Sequence, residues 1–331
     1  MLREGETVTE TDAGTVADTG EFGVIAAIAR RLPAGPGVLI GSGDDAAVVR
    51  APDGRVVVTT DVLVDGVHFR SDWCSAHDIG RRSAAASLAD VAAMGARATA
   101  LVVALTAPGD TDTAWVLRLA DGLRDEAAGC GAFVVGGDLA ASDRLTVAVT
   151  ALGDLGGRDP VTRSGARPGD VVAVAGRLGW AAAGLAVLSR GFASPRAVVQ
   201  AYRVPEPPYA AGEAAALAGA TAMCDVSDGL LADLGHIADA SAVGIDLRAA
   251  ALEVAEPVAS VAAAYGTQAL GWVLTGGDDH ALAATFPPEV LLPDGFVAVG
   301  TVVAADDGDD APVTVDGTPW PDPAGHEHFR R

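Results

Sequence analysis

Two adjacent carboxylates, Asp44 and Asp45, close a glycine turn, Gly41-Ser42-Gly43-Asp44-Asp45, ahead of the apolar run 46–49. Adjacent like charges repel, and an unpaired buried carboxylate is expensive. A core has no use for such a pair. Glycine leaves the backbone free to take turn conformations and lets a ligand come close. An acidic pair in that setting has the chemistry of a hard-cation site, because Mg2+ and Ca2+ take oxygen ligands. Single aspartates recur in similar settings at Asp61, Asp90, Asp138, Asp225, Asp228 and Asp278. Each of them alone serves equally well as a helix cap or a turn residue. Carboxylates gathered from several strand ends would repel one another, and several Mg2+ ions would relieve that repulsion while holding polyphosphate oxygens.

The elements that must carry these acids follow from periodicity. Phe22, Val24, Ile25, Ile28, Ala29 and Leu32 recur at helical spacing up to Pro33, so ordered structure is expected from Glu21. Runs 46–49 and 56–60 flank Pro52-Asp53-Gly54 and predict a hairpin, with Asp61 at the end of its second strand. Residues 78–94 predict an alanine-rich helix closed by Gly95, with Asp90 on a face shared with Ser83, Ala86, Ser87 and Met94. A strand at 98–105, a helix at 112–129, a strand at 132–135 entering Gly136-Gly137-Asp138 and a strand at 145–152 complete the first half. Interleaved strands and helices predict an α/β or α+β domain.

The loop-rich segment 153–169, with Arg158, Arg163 and Arg167, marks the domain boundary. Beyond it come a strand at 171–175, helices at 180–189 and 210–217, and a strand at 221–224 that runs into Asp225-Val226-Ser227-Asp228-Gly229. The helix that follows shows Leu231, Leu234, Ile237, Ala238 and Ser241 on one face, and Ser227 or Asp228 is placed to cap it. Residues 272–274 lead into Thr275-Gly276-Gly277-Asp278-Asp279, followed by strands at 281–286 and 296–303, an acidic loop at 304–310 and Trp320 among prolines. The 41–45 and 276–279 turns look alike, but so short a likeness does not establish a repeat.

Composition narrows the chemistry. The 331 residues suffice for two domains of about 150 each. With 50% hydrophobic and only 5% aromatic residues, the core is built of Ala, Val and Leu. Twenty-two basic against 44 acidic residues give a formal charge of −22, a field that repels nucleic acid and anionic membranes. Every basic residue is arginine; there is no lysine. That absence excludes a Walker phosphate loop, the strand lysine of protein kinases and a Schiff base. Phosphate, if bound, must be held by metal ions, backbone N–H groups and arginine. Cys74, Cys130 and Cys224 form no Cys-x-x-Cys pair and indicate neither a disulfide framework nor a zinc site. No apolar run approaches the ~20 residues of a membrane span. The first twenty residues have no signal-peptide pattern and are expected to be a disordered acidic tail. A cytoplasmic location is expected.

The series Gly41-Ser-Gly-Asp-Asp45, Thr59-Thr60-Asp61, Ser87-Leu-Ala-Asp90-Val-Ala-Ala-Met-Gly95, Gly136-Gly-Asp138, Arg163-Ser-Gly-Ala-Arg-Pro-Gly-Asp170, Asp225-Val-Ser-Asp-Gly229 and Thr275-Gly-Gly-Asp278 resembles the thiamine-monophosphate kinase family. The resemblance runs in order from about Glu21 to Trp320. The wider superfamily includes aminoimidazole ribonucleotide synthetase, selenophosphate synthetase and a hydrogenase maturation factor. The resemblance implies three segments: the tail at 1–20, an N-terminal ATP- and Mg2+-binding domain at 21–153 whose mixed sheet pairs with its twin in a homodimer, and a sandwich-like α/β domain at 154–331. It implies ATP-dependent phosphorylation of thiamine monophosphate to thiamine diphosphate, with ATP as co-substrate and several Mg2+ ions.

Carried over residue by residue, the resemblance implies metal ligation by Asp45, Thr59, Thr60, Asp61, Asp90, Asp138, Asp225 and Asp228, with Asp45, Asp90 and Asp138 central to catalysis. It implies nucleotide contacts at Gly137, Asp138, Arg163 and Ser227, and thiamine-phosphate contacts at His68, Asp278 and Trp320. Two departures stand out: Thr59 where serine is frequent, and Asp278 where glutamate is common. The rival readings are aminoimidazole ribonucleotide synthetase and, from a different class, a non-catalytic acidic metal-binding protein. Selenophosphate synthetase is disfavoured, since no cysteine precedes Cys74 and the expected lysine is missing.

Overall fold

Alternating small apolar residues on pleated strands build the two larger sheets of the protein, and glycines set how closely its helices approach. The structure, a computed structural model, describes residues 14–33, 35–41, 46–305 and 312–326. It divides into two units: the first gathers the described residues up to Gly54, Val58–Ser87 and Ala98–Leu152, and the second gathers Arg55–Val57, Leu88–Arg97 and the described residues from Gly153 onward.

The chain of the first unit runs α1 (Val16–Thr19), α2 (Glu21–Ala29), β1 (Val38–Ile40), β2 (Val48–Val49), β3 (Val57–Val64), α3 (Ala76–Ala93), β4 (Arg97–Ala107), α4 (Thr113–Gly129), β5 (Phe133–Ala141) and β6 (Thr146–Asp154). A four-stranded sheet has the order β3-β6-β4-β5. Strands β4 and β5 are parallel and joined through α4, a βαβ unit. Asp112 caps α4, its carboxylate accepting the Ala114 N–H at 3.0 Å.

Three expectations are corrected here. Order begins before Glu21, because Thr15 and Asp18 form a capping box that starts α1. The segments at 46–49 and 56–60 do not form a hairpin: β2 pairs with β1, while β3 joins β6 in the four-stranded sheet. The turn itself exists, with Gly54 at φ +76° and its N–H on the Ala51 carbonyl, but it connects strands of different sheets. Asp61 and Asp138 do not stand at strand ends; β3 continues to Val64 and β5 to Ala141, so both acids lie within strands. Pairing with a neighbour decides where a strand stops, and the glycines at 136 and 137 do not interrupt it.

The second unit continues with β7 (Val171–Ala175), α5 (Trp180–Ser189), α6 (Arg196–Arg203), α7 (Tyr209–Ala218), β8 (Ala222–Val226), α8 (Leu230–Ser241), β9 (Val243–Leu247), a 3-10 turn (Ala249–Ala251), α9 (Glu256–Tyr265), α10 (Ala269–Thr275), β10 (Ala281–Phe286), β11 (Phe296–Ala304), β12 (Val313–Val315) and β13 (Thr318–Pro319). Seven strands order as β13-β12-β9-β11-β7-β10-β8, antiparallel throughout except for the β12–β9 pair. Val172, Val174, Ala281 and Ala283 face one core with Leu230, Leu234, Ile237, Val273 and Leu274 of α8 and α10. Ala173, Ala175, Leu282, Ala284 and Phe286 face the other, with Ala211 and Ala215 of α7 and with Ala92 and Ala93 from the end of α3, which belongs to this unit from Leu88 onward. The sheet is thus buried on both faces. The acidic loop expected at 304–310 falls largely outside the described residues.

Helices α3 and α4 cross backbone to backbone in the first unit. A Cβ on Gly80 would lie 2.1 Å from the Leu119 carbonyl oxygen, and one on Gly122 would lie 2.1 Å from that of His77. Nothing soft stands there to yield. Gly80→Ala should therefore destabilise the protein by about 1–3 kcal/mol through forced separation of the two helices. Gly129→Ala, where a Cβ would meet nothing within 4 Å, should be neutral or slightly stabilising. Denaturant midpoints of the two variants check the contrast.

Candidate active site

In the first unit, β3 brings Thr59, Thr60 and Asp61 onto the sheet. Asp61 is half-buried, and fully buried Ser87 of α3 donates its hydroxyl to Asp61 Oδ2 at 2.6 Å, a short charge-assisted bond. The same hydroxyl lies 3.0 Å from the Val149 carbonyl of β6. Thr60 donates to that carbonyl at 3.2 Å and accepts from Thr150 at 3.1 Å. The small-residue stripe on α3 therefore has a purpose: Ser87 orients Asp61, and half-buried Asp90 lies three residues further along the helix.

Asp138 is exposed on β5, in register with Ala104. A Cβ on Gly137 would sit 2.1 Å from the Val103 carbonyl oxygen, so only glycine lets β5 lie this close to β4. The register shifts between Leu101 and Val102, which displaces the Gly136-Gly137-Asp138 stretch from an even ladder. These three residues line a cleft of about 680 Å3 whose other walls are apolar side chains, among them Phe22, Ile25 and Ile28 of α2. His68, half-buried, accepts the Val64 N–H on Nδ1 at 3.0 Å. That bond leaves the proton of the neutral ring on Nε2. Asp45 lies outside the described residues.

In the second unit, Arg163 is exposed on a loop pinned to the end of α8: Ser241 donates to the Arg163 carbonyl at 3.1 Å and accepts the Gly165 and Ala166 N–H groups. Asp225 lies within β8, 4% exposed, and His280 Nδ1 stands 3.1 Å from its Oδ2. The expected cap of α8 is corrected. Its N-cap is Gly229, and Asp233 reaches back from the first turn, one oxygen accepting the N–H groups of Asp228 and Gly229 at 3.0 and 3.1 Å. The loop at 275–280 lies against it, with the Asp278 N–H on the Ser227 carbonyl and the His280 N–H on the Val226 carbonyl. Trp320 packs against the core of this unit, and its indole N–H is buried without an acceptor among the described residues.

Periodicity could not expose Asp233, Asp279 or His280. Asp233 lies in the first turn of α8 and Asp279 follows Asp278 in the glycine turn; both are buried. Burial, reinforced by the Asp225 charge, pushes Asp233 up to about 7 against the pull of its two N–H donors. Burial likewise pushes Asp279 up to about 7, opposed by the N–H groups of Ala181 and Trp180. Burial drives Cys224 well above the ordinary thiol value and Cys130 to about 11, so neither is a ready nucleophile.

The acids of the series offer only oxygen donors, as Mg2+ requires. Among the described residues, no group of three or more His, Cys, Asp or Glu is drawn together tightly enough to hold a metal.

Two family models match the chain: AIR synthase related protein, N-terminal domain, over residues 43–155, and AIR synthase related protein, C-terminal domain, over residues 167–306. The chain is 49% identical to the thiamine-monophosphate kinase of Mycobacterium tuberculosis over 320 residues, covering 96% of this chain and 94% of that one. It is similar in structure to thiamine-monophosphate kinase from Stenotrophomonas maltophilia, with TM-score 0.77, 31% identity and coverage of 89% and 96%. It is also similar to a structure described as AaThiL complexed with AMPPCP and TMP, with TM-score 0.78, 29% identity and coverage of 98% and 100%.

An acid whose folded-state pKa lies above its unfolded value makes stability greatest at low pH, and that contribution is lost as pH rises towards the folded value. Relative to Asp279→Asn, the wild-type chain should lose stability between about pH 4 and about pH 7, with a limiting slope of about 1.4 kcal/mol per pH unit, and run parallel above. Thermal melts of both proteins across that range provide the measurement.

Proposed function

The chain belongs to the thiamine-monophosphate kinase family of AIR synthase related proteins, and from that premise we propose that it phosphorylates thiamine monophosphate to thiamine diphosphate with ATP. The observation that carries the reading is the near full-length match to the complex with AMPPCP and TMP, together with the sequence match to a named kinase. An oxygen of the acceptor phosphate attacks the γ-phosphorus of ATP, the bond to the bridging oxygen breaks, and ADP leaves. No general base is needed, since a phosphate monoester with a second pKa of about 6 is already ionised near neutrality. Positioning and charge neutralisation carry the catalysis.

Mg2+ ions would be held by Asp45, Thr59, Thr60, Asp61, Asp90, Asp138, Asp225 and Asp228, and would neutralise phosphate charge. What supports this is the all-oxygen donor set and the Ser87 hydroxyl that orients Asp61. Gly137, Asp138, Arg163 and Ser227 would contact the nucleotide; the arginine fork suits phosphate oxygens, and the Ser241 bonds hold its loop. His68, with its proton on Nε2, Asp278 and Trp320 would contact thiamine monophosphate. The reading includes a cytoplasmic location, supported by three cysteines outside any disulfide. No helix among the described residues is long and apolar enough to cross a membrane.

The reading also includes a homodimer. Strand β3 is an edge of its sheet, and Val58 and Val62 are 63% and 50% exposed on one face of it. An uncovered apolar edge strand is a surface for pairing. A Val58→Glu/Val62→Glu double variant should sediment as a monomer where the wild type sediments as a dimer.

Purified protein supplied with Mg2+ and ATP should release ADP when thiamine monophosphate is added. Asp138→Ala or Asp90→Ala should lower turnover at least ~100-fold with an unchanged circular dichroism spectrum. Release with a purine precursor but not with thiamine monophosphate would favour the aminoimidazole ribonucleotide synthetase alternative.

A further inference from the structure

The loops at 225–229 and 275–280 behave as one body. Besides their two main-chain bonds, a Cβ on Gly277 would lie 2.2 Å from the Ser227 carbonyl oxygen, and one on Gly229 would lie 2.7 Å from that of Thr275. Asp278 and His280 both take left-handed backbone conformations, at φ +70° and +52°. Side chains rarely adopt that region without a compensating constraint. Each has a different engagement: His280 meets Asp225, while Asp278 is the residue assigned above to the acceptor.

Between them, Asp279 turns into the protein and is 4% exposed. Its two oxygens are used separately, Oδ2 accepting the Trp180 N–H and Oδ1 the Ala181 N–H, both at 2.9 Å. These are the first two residues of α5, a ten-residue helix whose own N-cap, Gly179, has no side chain to offer. The carboxylate is a two-point tether from the acceptor loop to a helix that buries Ala181, Ala183, Gly184, Val187 and Leu188 in the unit.

We propose that Asp279 is a positioning residue for acceptor binding: by gripping two N–H groups of α5 it fixes the strained 278–280 backbone and so the place of Asp278. The proposal rests on the kinase reading above. Because both oxygens are occupied by different donors, an amide cannot replace the carboxylate; one end of Asn would turn an NH2 group on an N–H. Asp233 makes the opposite case, since a single oxygen accepts both of its bonds and an amide carbonyl can stand in.

The test is steady-state kinetics of the wild type, Asp279→Asn, Asp279→Ala and Asp233→Asn, with KM measured for each substrate. Asp279→Asn should raise the KM for thiamine monophosphate roughly tenfold, and Asp279→Ala further, with the KM for ATP within about twofold of wild type. Asp233→Asn should leave the KM for thiamine monophosphate near wild type. If Asp279→Ala fails to fold, Asp279→Asn, which keeps one acceptor and the shape, carries the same comparison. A loss of active fraction with both KM values unchanged would assign Asp279 a purely structural role and overturn the proposal, as would a parallel rise of both. A wild-type chain that turns over ATP with no thiamine monophosphate dependence would bring down the functional reading itself.

Discussion

Four buried aspartates of the second unit are held by neutral donors, whereas Asp225 faces His280. Asp154 accepts the Gly156 N–H, Asp170 the Arg167 N–H and the Thr221 hydroxyl, Asp233 two N–H groups of its own loop, and Asp279 two of α5. A chain with no lysine and twice as many acids as bases has few cations to place inside. An acid buried without a counter-ion keeps its proton to higher pH unless N–H groups compensate. Asp233 and Asp279, both near 7, show the balance between those two tendencies. Each of these bonds also ties a loop to the framework, so the same economy of charge that sets the acids' protonation sets the geometry of the loops.

Close approach is the second constraint. Gly137 against Val103, Gly277 against Ser227 and Gly80 against Leu119 each put a missing Cβ within 2.2 Å of a carbonyl oxygen. A sheet, a pair of loops and a pair of helices are thereby held at distances that no other residue allows. Two of these three contacts lie in stretches that carry proposed site residues, Asp138 beside Gly137 and Asp278 beside Gly277. The glycines of the motifs are there for the backbone as much as for a ligand.

Much of the architecture was legible from periodicity. Helix α4, strands β4, β7, β10 and β11, and helices α5 and α7 stand where apolar spacing places them. The errors share a cause. The turn at 52–54 was read correctly but the partner of β3 was not, because a strand's neighbour is chosen by the sheet and not by the nearest turn. Strands β3, β5 and β8 run past the residues where local pattern ends them, so Asp61, Asp138 and Asp225 sit within strands. Helices α6, α9 and α10 and strand β9 stand where the apolar spacing gave no element, although α9 and β9 are as long as α5 and β7.

By itself, the sequence determined the residue types available for chemistry: oxygen donors in glycine-rich settings, arginine as the sole permanent cation, and no lysine. Their ordered motifs determined the family they resemble. Only the tertiary structure decided which acids face a partner and which serve as tethers. Asp278 and Asp279 are identical neighbours in the chain, yet only Asp279 is buried on the N–H groups of a helix ninety-eight and ninety-nine residues away in sequence. Burial and long-range hydrogen bonding are properties of the assembled chain, and no local pattern encodes them.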